Sequence, residues 1–234
     1  KYPTPLSLMD TSQASLDECY WWLAQFRATC PSAEIIALEG NHDDRIRRRM
    51  TQHAPAAVEL RGVADAAPAL DMGRLLALDS LDVQYVAPYP TDYWLWGSVR
   101  VKHGDVVRGK SGATTAAVVA DASHSVAMGH IHRVELATRT VHGPDGPALL
   151  FALSPGCLCR VASGVVPGVK RDQNWQQGYA MLTQAAGQVY PEVGYIRSGC
   201  GVWRGKWLQG SDRTSEIAEA IGHPLAADWA QEGE

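Results

Sequence analysis

A chain of 234 residues, 46% of them hydrophobic, can bury a sizeable core as one domain or as one domain with a small appendage. Its formal net charge of −4 excludes a global attraction to nucleic acid or anionic lipid, so either partner would have to be met locally. No apolar run approaches a membrane span, and the opening KYPTPLSLMD lacks the parts of a signal peptide, which points to a cytoplasmic protein with no membrane partner.

In chain order, TSQASLDECYWWLAQFRATC from Thr11 places Leu16, Cys19, Tyr20, Leu23 and Phe26 on one helical stripe, with Asp10, Thr11 or Ser12 available as the N-cap. CPSA breaks that helix, and EIIALE at 34–39 is a short apolar run of the kind a buried parallel strand shows. The GNHDD turn follows, then DDRIRRRMTQHA restarts a helix with acids in its first turn, where the helix dipole favours them. Helix and loop surround MGRLLAL, and VQYVAP at 83–88 returns to strand. Beyond it YWLWGSVRVKHGD, SVAMGHIHR, VELATRTV, ALLFALSPG, GYAMLTQ and QVYPEVGYI read as strands, with GATTAAVVADA at 112–122 the one clear helix among them. The tail from Ser198 is Gly-rich and Trp-studded before a short amphipathic helix, TSEIAEAI, so the composition divides the chain into a domain at 1–197 and an extension at 198–234. The five cysteines, Cys19, Cys30, Cys157, Cys159 and Cys200, are odd in number and scattered, unlike a disulfide framework, and read as reduced, mostly buried thiols.

Four of the eight histidines share one setting, a strand end beside glycine: His42 in EGNHDD with Asn41 before it, His103 in VKHGD, and His130 and His132 in GHIHR. Side chains leaving several strands at the carboxyl edge of an α/β sheet can converge on one point, and the glycines let the backbone turn sharply there. Imidazole nitrogen and amide oxygen suit Mn, Fe, Ni, Co or Zn rather than a thiolate-selective site. His53, His142 and His223 lack that setting and read as ordinary hydrogen-bonded residues, and His124 leans the same way. Trp94, Trp96, Trp203 and Trp207 could offer stacking surfaces, but aromatics at strand positions belong to the core more often than not.

GNHDD, KHGD and GHIHR, in that order, resemble the later motifs of the calcineurin-like metallophosphoesterases: GNH with an acid, a lone His, and GHxH. LEGNHDDRIRR, VKHGDVVR followed by SGATTAAV, and NWQQGYA at 174–180 resemble a branch common in bacteriophages and prophages, over about residues 5–205. The resemblance implies an α/β fold, a four-layer sandwich of two mixed sheets flanked by helices, with two divalent ions at the strand ends. It implies Asn41, His103 and His130 as ligands of one ion and His132 as a ligand of the other. It also implies His42 as proton donor to the leaving oxygen, Asp43 as the group that orients His42, and Arg45 or the RIRRR stretch as a phosphate contact. The chemistry is then a metal-activated water attacking the phosphorus of a phosphate ester, DNA and RNA among the candidate substrates.

The first two motifs of that superfamily, Asp-x-His and Gly-Asp-x-x-Asp, occur nowhere in the 234 residues, and the expectation is a chain lacking the N-terminal strands that would carry them. A phosphodiesterase or nuclease is the leading reading. A phosphomonoesterase or protein phosphatase would need the same centre, and a non-catalytic member that keeps the fold as a binding module would account for the missing acids.

Overall fold

A computed structural model describes residues 11–144, 146–159, 161 and 173–210. They form a mixed α/β structure with several sheets and few helices, in two compact units, residues 11–86 and residues 87–210. The amphipathic segment TSEIAEAI and His223 lie outside the described residues.

The first unit opens with α1 (Thr11–Thr29), followed by β1 (Ile35–Leu38), α2 (Asp44–His53), a short α3 (Met72–Leu75) and β2 (Val83–Val86). β1 and β2 pair in parallel, with Ala37 opposite Tyr85. Ala24 of α1, Leu78, Leu81 and Val83 form the buried core, with Leu16, Tyr20, Leu23, Ile35 and Tyr85 packed around them. The stripe expected on α1 is therefore shifted. Leu16, Tyr20 and Leu23 face the core as their spacing requires, but Trp21 and Ala24 are the fully buried members, while Cys19 and Phe26 are exposed. Arg27 ends the stripe by donating to the carbonyls of Leu81, Pro31, Ala33 and Asp82, which ties the helix end to the chain that enters β2.

In the second unit β3 (Asp92–Leu95), β4 (Val99–Lys102), β5 (Ser125–Met128), β6 (Val134–Gly143) and β7 (Gly146–Pro155) form a mixed sheet in the order β3-β4-β5-β7-β6. The β4–β5 and β5–β7 pairs are parallel. One connection crosses over through α4 (Ala113–Asp121), as a parallel pair requires. Alternation then sorts the side chains. Val126, Met128 and Ala152 pack under Val119 of α4, whereas Val99, Phe151 and Leu153 face the opposite way. That second face meets Ala180, Leu182, Val189 and Val193 of an antiparallel sheet built from β8 (Gly178–Ala185), β9 (Gln188–Arg197), β10 (Cys200–Trp203) and β11 (Lys206–Gln209). Helix, mixed sheet and antiparallel sheet thus make three layers within this unit. Phe151 and Leu153 are each 1% exposed, so each contributes on the order of 1.5–3 kcal/mol of burial.

The Gly- and Trp-rich tail is strand up to residue 209: Cys200 pairs with Arg197, and Val202 with Trp207, extending the antiparallel sheet. Tyr179 explains two of its glycines. A Cβ on Gly194 would lie 2.3 Å from the Tyr179 ring, and one on Gly201 would touch it at 3.8 Å, so the ring lies across both glycines with its hydroxyl donating to the Val202 carbonyl.

Two compositional expectations do not survive. Trp94, Trp96, Trp203 and Trp207 are 38–63% exposed rather than core, because each sits in or beside a hairpin tip. The thiols are free, but Cys19, Cys30 and Cys159 are exposed, since they fall on the outer side of α1, at its end and in a loop. Among the described residues no helix is long and apolar enough to cross a membrane.

Candidate functional site

The lone His and the GHIH turn come together through strand register. β4 and β5 run parallel with Lys102 opposite Met128, so the residues just past those ends, His103 and His130, leave neighbouring strands at the same edge. Gly104, at φ 96°, turns the chain immediately after His103, and a Cβ there would stand 3.5 Å from that of His130. The amide of Gly129 donates to the Lys102 carbonyl, which fixes one turn against the other.

His130 and His132 both adopt left-handed backbone, at φ 67° and 56°. Non-glycine residues held there carry strain of about 1–3 kcal/mol each and gather at functional sites. Between them Ile131 is 4% exposed and packs into the core with Met128 and Val119, so the turn is anchored by its middle residue. His130 Nδ1 lies 3.2 Å from His103 Nε2, with the rings nearly edge to face. Two imidazole nitrogens bound to one ion at about 2.0–2.1 Å stand roughly 3.3 Å apart at a near-tetrahedral angle, so this pair has the spacing of two ligands of one metal. Tyr89 borders the pair, its ring edge-on to His103 and its hydroxyl donating to the Gly104 carbonyl.

His132 is framed by NWQQGYA. Trp175 stands edge-on to its ring at 4.4 Å between centroids, the Gln176 amide donates to the His132 carbonyl, and the Gln176 side-chain oxygen accepts from the Val134 amide. Asn174 in turn donates to Ser111 in the loop before α4. Three segments far apart in the sequence therefore meet around the GHIH turn.

Beneath it lies an ion pair that sequence reasoning missed. Arg133 and Glu135, each 6% exposed, are joined at 2.8 Å. Arg133 also donates to the Arg108 carbonyl and to Thr114 Oγ1. Glu135 accepts from the amides of Gly112 and Thr115 and from the Thr115 hydroxyl, placing a carboxylate at the positive end of α4. The pair binds the loop after His103 to the strand after His132. Arg133 was visible only as the last letter of GHIHR, and nothing in a strand pattern marks Glu135 as buried.

In the first unit the GNHDD turn is closed by Asp43, whose carboxylate accepts from the Gly40 amide at 2.7 Å. His42 is exposed, and Arg45 donates to its Nε2 at 2.8 Å, so Nε2 is the acceptor nitrogen of a neutral ring. Asn41 is half-buried. Asp44, 2% exposed, accepts from both Arg47 and Arg48, and the buried Glu39 stands 3.7 Å from Arg47. Burial, with the Glu39 and Asp43 carboxylates nearby, pushes the Tyr85 phenol well above its ordinary range and keeps it protonated behind this turn.

No family model matches the chain, and no solved structure matches it. It is 29% identical over 157 residues to the Gene 54 protein of Mycobacterium phage L5, a stretch covering 66% of this chain and 58% of that protein. The chain thus spans less than two thirds of the length of the curated relative it matches. The phage context read from LEGNHDD, VKHGDVVR and NWQQGYA has that relative in its support; the relative's name states no activity.

The remaining histidines have ordinary surroundings. His124 bonds Ser123 and stands edge-on to Trp94, while His53 and His142 are exposed. Among the described residues no three His, Cys, Asp or Glu side chains gather in a group that could hold a metal ion. His103 and His130 fit two corners of one ion, and further donors have to be of another kind, such as an amide oxygen. The Cys157 thiol, pushed up to about 12 by burial and by contact with Cys159, is protonated at neutral pH and is a poor metal ligand in that state.

Proposed function

We propose that the chain is a metal-dependent phosphoesterase of the calcineurin-like type on a four-layer sandwich, acting in the cytoplasm as a phosphodiesterase or nuclease. The observation that carries this reading is the His103–His130 pair, 3.2 Å apart at adjacent parallel strand ends, with its partner turn held in left-handed backbone. His103 and His130 would be two ligands of one divalent ion, and His132 would serve a second; Mn, Fe, Ni, Co and Zn all suit these donors. Bound there, such ions supply an activated water and neutralise phosphoryl oxygens.

The chain's own groups do the rest. Arg45 has the geometry to exchange its bond to His42 for one to a phosphoryl oxygen, since a guanidinium prefers a charged acceptor. His42 Nε2, released from Arg45, would take up a proton from solvent and could pass it to the leaving oxygen. Trp175, edge-on to His132, and the buried Ile131 anchor the GHIH turn. The free thiols suit a reducing compartment.

The test is elemental analysis after dialysis against Mn or Zn, paired with hydrolysis of bis-p-nitrophenyl phosphate and p-nitrophenyl phosphate. Wild type should retain metal and prefer the diester, and His130→Ala should lose at least tenfold in metal affinity and in turnover. Equal metal content in both proteins sinks the reading. Retained metal with no turnover on either ester would favour the binding module, the reading that the absence of a three-member ligand group among the described residues supports.

A further inference from the structure

We infer that the β10–β11 hairpin is a docking surface for single-stranded nucleic acid. By register Arg197, Tyr195, Val202 and Trp207 share the face that continues from Val193 and Ala180, which pack on the mixed sheet. Beyond Val193 that face runs out of cover: Tyr195, Val202 and Trp207 are 52%, 55% and 63% exposed. The opposite face carries Trp203 beside Lys206 and Leu208. At the tip, Arg204 and Gly205 form a two-residue turn with both φ positive, and the Arg204 guanidinium lies 5.3 Å from the Trp203 ring centre.

Charge selects the occupant. Arg197, Arg204 and Lys206 fall within residues 193–210, which contain no acid, in a chain whose net charge is −4. An isologous contact of the hairpin with a second copy would bring these unbalanced positive charges, spread over both faces and the tip, against themselves. A polyanion complements it, and open indole and phenol rings suit unpaired bases, whose faces a duplex keeps stacked. The inference goes beyond the phosphoesterase reading and does not depend on it, because binding here needs no metal.

The experiment is fluorescence anisotropy of a labelled oligo(dT) with the full chain in EDTA, across a salt series. Wild type should bind, more weakly as salt rises. Trp207→Ala should weaken binding at least about fivefold, the loss of one stacked base. The double change Arg204→Ala, Lys206→Ala should weaken it and flatten the salt slope by about 1.4, roughly 0.7 for each phosphate that is no longer neutralised. Wild type that binds the oligonucleotide in EDTA but hydrolyses neither ester once Mn is restored would fault the phosphoesterase reading and leave the hairpin standing. Absence of binding, equal binding by the hairpin variants, or duplex bound as tightly as single strand would each overturn the inference. So would self-association that Trp207→Ala abolishes while the oligonucleotide goes unbound.

Discussion

Arg45, Arg47 and Arg48 look alike in RIRRR, yet one reaches His42 and two reach the buried Asp44. The i,i+3 and i,i+4 spacing from Asp44 selects Arg47 and Arg48, whereas the burial of Asp44 and the approach of Glu39 come only with the tertiary structure. Arg45 is then the member whose partner is an exposed neutral ring, and it is the one to test. In the proposed enzyme, Arg45→Ala should lower kcat/KM on a phosphodiester about tenfold or more, the scale of one hydrogen bond to a charged oxygen. Its stability should stay within about 0.5 kcal/mol of wild type, since the residue is exposed. Unchanged kcat/KM would reduce Arg45 to a surface residue of α2. Residue types and glycines singled out His103, His130 and His132, of which the structure brings His103 and His130 within 3.2 Å, whereas the left-handed φ at His130 and His132 was not legible, since only the tertiary setting imposes it.

Among the elements, β5, α4 and β9 lie where the apolar patterns put them, although β5 is buried on both sides and the alternation of β9 breaks at Val193–Gly194. The hairpin tryptophans do not, because alternation tells which side a residue takes but not whether a second layer is there to cover it. The Arg133–Glu135 pair is the joint between α4 and β6, and its loss should be felt across both. Glu135→Ala leaves a buried guanidinium facing Thr114 and a carbonyl, and should cost about 3–5 kcal/mol in urea unfolding. Glu135→Gln keeps an acceptor for the α4 amides and should fall between the two. If the Ala variant unfolds at the wild-type urea midpoint, the pair has no structural weight.

At the scale of the whole molecule, the histidine pair exists only when distant stretches have met. Twenty-seven positions separate His103 from His130, and the β4–β5 register that aligns them closes around α4. The β8–β9 hairpin needs no such closure, its strands being joined through Ala186 and Gly187. Local pairings form ahead of long-range parallel ones, because loop closure must precede the reward of contact. The edge that holds His103 and His130 is therefore among the last features to appear as the chain refolds. If the proposed centre takes cobalt, then in stopped-flow refolding with cobalt present the absorbance of the imidazole-bound ion should lag the far-ultraviolet signal of secondary structure. Simultaneous traces would show that the two turns find each other before the sheet between them is complete, and cobalt could then be used as a template to speed folding rather than as a clock for its final step.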